Sequence, residues 1–231
     1  MKVIAFPFAG GNKYSFDFFK PYLLNNNISL EVFEYPGRGQ RMRENLIASM
    51  EAVVNDLFPK VLSSINNDED SYIIYGHSMG AIIAYLICEQ IERRKDIIKP
   101  KRMIVSGRTA PSIFSDEITY HLPSDIFWEK VFDMGGVPEG IIKESAIKDF
   151  YEPILRNDFK AIEEYKYEEA IPLSIPIDVL YGDEECKNKK DFLDWSQETT
   201  NEVNFYTFKG NHFFVHNYAQ DIANHFIQGF R

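Results

Sequence analysis

The sequence predicts an α/β fold, a mostly parallel central sheet with helices on both faces. Strand-like and helix-like segments alternate along the chain, and 231 residues suit one large domain able to bury a sizeable core. A third observation is local. The stretch "YIIYGHSMGA", residues 72–81, runs four β-favouring residues into a Gly-x-Ser-x-Gly turn and then into small helix formers.

The elements follow in order. "KVIAF" (residues 2–6) reads as a buried strand ended by "PFAGGN", and an aromatic-rich helix is expected over residues 14–24. "SLEVFEY" (29–35) alternates like a strand and stops at "PGRGQR". Residues 50–65 have helical spacing, with Val53, Val54, Leu57, Val61 and Leu62 on one face. "SYIIY" is the central strand, and residues 79–93 form a helix with Ile82, Ile83, Leu86 and Ile87 inward. "RMIVSG" (102–107), "PIDVLYG" (176–182) and "EVNFYTF" (202–208) supply three more strands, and a last helix covers residues 218–230. Between residues 112 and 166 the strand–helix rhythm breaks into short helices rich in Phe, Trp, Ile and Met, expected to be a helical lid inserted in the domain. Its Gly135 and Gly136 suit either a hinge or the end of a helix.

Composition excludes several classes. A net charge of −10 opposes general nucleic-acid binding, which needs a basic surface. No apolar run approaches the ~20 residues of a membrane span, and no signal peptide precedes "VIAF". Cys88 and Cys186 are too few and too distant for a disulfide framework or metal site, and read as reduced thiols. A soluble cytoplasmic protein is the expectation.

The chemistry lies in three strand ends. A serine hydroxyl is a weak nucleophile unless a histidine takes its proton and an acid orients that histidine. In α/β-hydrolase sheets those groups come in the order serine, acid, histidine. Here Ser78 follows the central strand, "GDEE" (182–185) follows the penultimate strand, and "KGNHFF" (209–214) places His212 after the last. Spacing alone does not choose among Asp183, Glu184 and Glu185. Side chains at Gly76 and Gly80 are expected to strike neighbouring backbone in so tight a turn. Met79 N–H, at a helix N-terminus, is a candidate oxyanion donor, and the loop "FPFAGG" offers a second at Ala9, or alternatively Phe8. Among the other histidines, His77 is expected to point away from Ser78, His121 falls in the lid, and His225 is expected to be exposed on the last helix. His212 and His216 are four apart, but they lie in a loop and no third ligand completes a zinc set.

Taken together, "FPFAGG", "PGRGQR", "YGHSMGA", "SGRTAP", "GGVPEGII", "ILRNDFKAIEEY" and "GNHFF" resemble the type II thioesterases of nonribosomal peptide and polyketide synthesis, over nearly the whole chain. The resemblance implies an α/β-hydrolase that clears wrong or stalled acyl groups from the phosphopantetheine arm of acyl or peptidyl carrier domains. It implies Ser78 as nucleophile, His212 as general base, and backbone donors at Met79 and Ala9, with no cofactor or metal. The family's acid lies three residues after a strand-ending glycine, which is Glu185 here; a two-residue shift gives Asp183. Acidic carrier domains call for a locally basic docking face, for which Arg38, Arg41 and Arg43 are better placed than the denser run from Arg93 to Arg102. No second copy is required, so a monomer is expected. A small-ester esterase or lipase, or a non-catalytic acyl- or carrier-binding protein, is the rival reading.

Overall fold

The computed structural model describes residues 1–66, 71–113, 118–136, 144–185 and 190–230; Cys186 lies outside them. Six strands form one sheet: β1 (Lys2–Phe6), β2 (Ser29–Val32), β3 (Tyr72–His77), β4 (Met103–Ser106), β5 (Ile177–Gly182) and β6 (Val203–Phe208). Their order is β2-β1-β3-β4-β5-β6, and every neighbouring pair is parallel. Parallel neighbours need a crossover, so the chain returns over a face of the sheet between strands. The helices are α1 (Lys20–Leu24), α2 (Met50–Asn66), α3 (Met79–Glu92), α4 (Ser124–Asp133), α5 (Ser145–Glu163), α6 (Lys190–Leu193) and α7 (Ala219–Gln228).

Alternate side chains of the same strands feed two cores. Ile4, Phe6, Ile74, Val105, Ile177 and Val179 pack with α2 and α3 on one face. Val3, Ala5, Ile73, Tyr75, Ile104 and Leu180 pack against the aromatic run Phe16 and Phe19 and against α7 on the other. With both faces covered, β1 and β3 need apolar residues at nearly every position, which is why they read as continuous runs. The order reverses between β1 and β3: β2 lies to one side of β1 and all later strands to the other. Open α/β sheets place their sites beside such a switch point, at the carboxyl ends of the strands. The loop after β1 and the turn after β3 therefore meet there.

Two elements differ from expectation. The helix expected over residues 14–24 is a 3-10 turn (Asp17–Phe19) leading into α1. Pro21 sits in the first turn of α1, where its missing N–H costs nothing; placed further into a longer α-helix it would remove one backbone hydrogen bond. The ladder of β2 stops at Val32, since the next bond back to Phe33 O would need an N–H at position 7, which is Pro7. Phe33 N–H still donates to Ala5 O (2.9 Å), and Phe33 and Tyr35 then turn into the core.

Between β4 and β5, α4 and α5 build a small core of their own from Phe127, Trp128, Val131, Leu155 and Phe159. Trp128 Nε1–H and Ser124 Oγ–H both donate to the Glu152 carboxylate (2.7 and 2.6 Å), clipping α4 to α5. Asn157 Nδ2 donates to Ile47 O (2.8 Å), tying α5 to the main body. Of residues 112–166, positions 114–117 and 137–143 lie outside the described residues, including most of "GGVPEGII". Gly135 ends α4 in a left-handed conformation (φ +83°), its N–H donating to Phe132 O (2.8 Å). Among the described residues, no helix is long and apolar enough to cross a membrane.

Candidate active site

Ser78 sits between β3 and α3 with φ +57° and ψ −117°, a backbone conformation that L-residues rarely adopt. Such a residue costs about 1–3 kcal/mol and persists only where its surroundings hold it. Here they do: Ser78 N–H donates to Ser106 O (2.8 Å) on β4, and Ser78 O accepts from Ala81 N–H (3.0 Å) in the first turn of α3. The glycines on either side allow the close packing. A Cβ on Gly76 would lie 2.1 Å from Gly80 O, and one on Gly80 would lie 1.9 Å from Phe6 O. Both contacts are with backbone, which cannot move aside.

His212 follows β6, in the loop that leads to α7. Its Nδ1 lies 2.6 Å from Glu185 Oε1. Glu185 is held in turn, its Oε2 accepting from Gly182 N–H at the end of β5 (2.8 Å). A carboxylate on Nδ1 fixes the ring as the Nδ1–H tautomer and leaves the lone pair on Nε2. Of the acids that sequence spacing leaves open, Glu185 is the one whose carboxylate meets the His212 ring. Asp183 does other work, its Oδ1 accepting from Gly210 N–H (2.8 Å) to brace the same loop. Close approach of the two strand ends requires glycine at 182, where a Cβ would lie 2.4 Å from Gly210 O.

Ser78, His212 and Glu185 line one cavity of ≈ 840 Å³ at the carboxyl end of the sheet. Phe8, Ala9 and Gly10 from the loop after β1 line it as well, and Trp128, Val131, Met134, Tyr151, Leu155 and Phe159 bring the α4–α5 core to its wall. The loop after β1 is pinned by Gly10 N–H donating to Asp158 Oδ2 and Gly11 N–H to Phe8 O (both 2.8 Å). Among the described residues, the amides of Ala9 and Met79 have no acceptor. Gly135 and Gly136 abut the His212 loop: a Cβ on the first would meet the Asn211 amide, and on the second the Phe213 ring, at 2.4 and 2.2 Å.

The remaining histidines do not join this set. His77 is buried and turned from the cavity, its Nδ1 2.8 Å from Ser106 Oγ, which also bonds Tyr75 Oη (2.8 Å). Burial pushes its pKa down, with the rings of His212 and His216 adding to the effect, so it stays neutral 5.0 Å from the His212 ring. His225 is not exposed as expected. It is half-buried, its ring 4.1 Å from that of Tyr206, because α7 lays this face against β6.

Arg38 and Arg41 also depart from expectation. Arg38 is 4 % exposed and grips Asp158 of α5, itself 1 % exposed, through Nη1–Oδ2 (2.5 Å) and Nη2–Oδ1 (2.7 Å). Arg41 forks onto Asp56 and Glu44. Neither is available to a docking partner; of the three, Arg43 alone is exposed. The run from Arg93 to Arg102 lies at the opposite end of the sheet, with Arg94 on Asp96, Lys99 on Glu92, and Arg102 on Asp178 and Glu202. Asp158 carries no mark in the sequence. Only its place inside "RNDF" and that of Arg38 inside "PGRG", two of the stretches that carry the resemblance, signal the pair.

A strained serine after the central strand, with an acid after β5 holding a histidine after β6, defines an α/β-hydrolase. The thioesterase-domain family pattern matches residues 1–229. The chain belongs to the thioesterase family and is a hydrolase acting on thioesters. Thioesterase PikA5 of Streptomyces venezuelae is 27 % identical over 234 residues, spanning 98 % of this chain and 81 % of that one. The gramicidin S biosynthesis protein GrsT of Aneurinibacillus migulanus is 27 % identical over 94 % of this chain and 83 % of its own. Among solved structures, ClbQ from the colibactin NRPS/PKS pathway superposes with a TM-score of 0.89 at 27 % identity, covering 99 % of this chain and 95 % of that one. YbtT, a type II thioesterase from the yersiniabactin NRPS/PKS pathway, gives 0.86 at 26 %, covering 100 % and 94 %.

Proposed function

We propose that this protein is a type II thioesterase that hydrolyses aberrant or stalled acyl groups from the phosphopantetheine arm of carrier domains in nonribosomal peptide or polyketide synthesis. The observation that carries the reading is the His212–Glu185 contact beside a strained serine, in one cavity of a thioesterase-family chain. Relatives whose names place them in NRPS/PKS pathways supply the substrate class.

The reaction runs in two steps. His212 Nε2 takes the Ser78 proton as Oγ attacks the thioester carbonyl, and the amides of Met79 and Ala9 receive the developing oxyanion. Glu185 holds the imidazole in the required tautomer and balances its charge while it is protonated. His212 then gives its proton to the pantetheine sulfur, which leaves as the thiol. In the second step His212 deprotonates a water that attacks the acyl-enzyme, and the acid is released as Ser78 recovers its proton. The enzyme needs no cofactor of its own, since the substrate brings the phosphopantetheine.

Residues 112–166 act as the lid in this reading, lining the acyl chamber with Trp128, Val131, Leu155 and Phe159. One chain supplies every group, so a monomer suffices, and cytoplasmic synthases are its partners. The test is intact-mass analysis of an acyl-loaded carrier domain incubated with the protein or with Ser78→Ala. Loss of the acyl mass with the first alone supports the reading; equal loss with both, or with neither, overturns it.

A further inference from the structure

The two-step reaction gives no task to Arg108, which lines the same cavity as Ser78. It stands two residues beyond β4, after Gly107, whose left-handed backbone (φ +60°) lets the chain pass close to the rings of His77 and His212. Arg108 Nε is buried without an acceptor, and no carboxylate among the described residues pairs with the guanidinium. Burial pushes its pKa below that of an ordinary arginine, opposed only by Tyr165. An arginine keeps its charge even so, and although Arg108 is half-buried as a whole, a cation whose Nε is cut off from water without a counter-charge is held at a cost.

Arg38, which is buried outright, shows the usual solution, since it has both carboxylate oxygens of Asp158. Four carboxylates share the cavity with Arg108: among the described residues those of Asp133 and Glu184 make no contact with the guanidinium, and the other two are already engaged. Glu185 serves His212 and Gly182 N–H, and Glu163 accepts from the N–H groups of Thr119 and Tyr120 (2.9 and 3.1 Å). The structural bond made at this position is from Trp195 Nε1–H to the Arg108 main-chain carbonyl (3.0 Å), which any residue could offer.

We propose that Arg108 is the selectivity residue of the acyl chamber and receives the carboxylate of acyl groups that carry one at their far end, the dicarboxylic half-thioesters. The claim rests on the thioesterase reading above. A guanidinium fork matches a carboxylate with two parallel, charge-assisted hydrogen bonds. The phosphate of the substrate arm is not the partner, because it stays with the carrier at the other end of the pantetheine chain.

The experiment compares one carrier domain loaded with succinyl or with 4-methylpentanoyl, which replaces the carboxylate oxygens by methyl groups. The readout is the ratio of kcat/KM for the two, in wild type, Arg108→Met and Arg108→Lys. The wild type is expected to release succinyl at least as well as the neutral acyl group. Arg108→Met lowers the succinyl-to-neutral ratio about 10- to 100-fold, the loss typical of a charged hydrogen bond, and Arg108→Lys falls between. An unchanged ratio in Arg108→Met, or a wild type that rejects succinyl more than about tenfold, overturns the proposal. Should Arg108→Met fail to fold, the ratio in Arg108→Lys and Arg108→Gln decides. Release of neither acyl group by the wild type instead strikes the thioesterase reading itself.

Discussion

Replacing Asp158 by alanine removes the whole counter-charge of Arg38 and the acceptor of Gly10 N–H in one step. At 4 % and 1 % exposure the ion pair is out of reach of water, so solvent cannot replace the lost carboxylate at Arg38. Removing one member of a buried ion pair costs about 3–5 kcal/mol, mostly because the other charge stays buried. Leaving Gly10 N–H dry costs roughly 1–3 kcal/mol more if nothing relaxes. Relaxation couples the two, so the expected loss is about 4–5 kcal/mol, a large share of the ~5–15 kcal/mol that holds a domain together. The Tyr35 ring, 5.1 Å from the Arg38 guanidinium, offers partial compensation only. Substituting both members, Arg38→Met with Asp158→Leu, buries no lone charge and should recover most of the loss. Urea unfolding at 25 °C, with midpoints compared at a common slope, measures both. A loss below about 1 kcal/mol for Asp158→Ala, or a double variant no more stable than the single, would refute the reasoning.

Glu185→Gln keeps the shape but removes the charge that fixes and balances the His212 ring. Its kcat on an acyl-carrier substrate should fall about 10³- to 10⁴-fold. Asp183→Asn still offers an oxygen to Gly210 N–H and should stay within about tenfold, so equal effects at the two positions would remove Glu185 from its role. Glu198 is buried under Tyr85 Oη–H (2.7 Å) and Tyr167 Oη–H (3.1 Å), and burial raises its pKa above the ordinary 4.5. The folded state therefore binds this proton more tightly than the unfolded chain. Its contribution favours folding below pH 4.5 and is lost as pH rises through the raised value. Glu198→Gln, measured by urea unfolding at pH 5 and pH 8, should gain stability relative to wild type at the higher pH, and an equal difference at both would contradict the sign.

Much of this was legible in the sequence because its cause is local. Continuous apolar runs at residues 2–6 and 72–77 follow from burial on both faces of a strand, and a serine flanked by glycines follows from backbone contacts under 2.5 Å. The order of Ser78, the acids and His212 reports which strand ends face one another, and that too is written along the chain. Contacts between distant segments leave no such trace. Asp158 meets Arg38 across 120 positions, and nothing near either residue distinguishes a docking cation from a buried one. His225 misleads for a related reason, since a polar residue on an amphipathic helix reads as exposed until the neighbouring strand presents Tyr206 to it. The choice between Asp183 and Glu185 turns on the reach of one side chain over a tight turn, which spacing cannot weigh.

The central claim is that Ser78 carries the acyl group between the two steps. Rapid-quench mass analysis of the protein mixed with acyl-loaded carrier, followed by peptide mapping, tests it most directly. The account predicts a transient acyl mass on the peptide containing Ser78, absent from Ser78→Ala and forming far more slowly in His212→Ala. Turnover at the normal rate with the acyl mass on another residue, or with no acyl-enzyme while Ser78→Ala remains active, would contradict it.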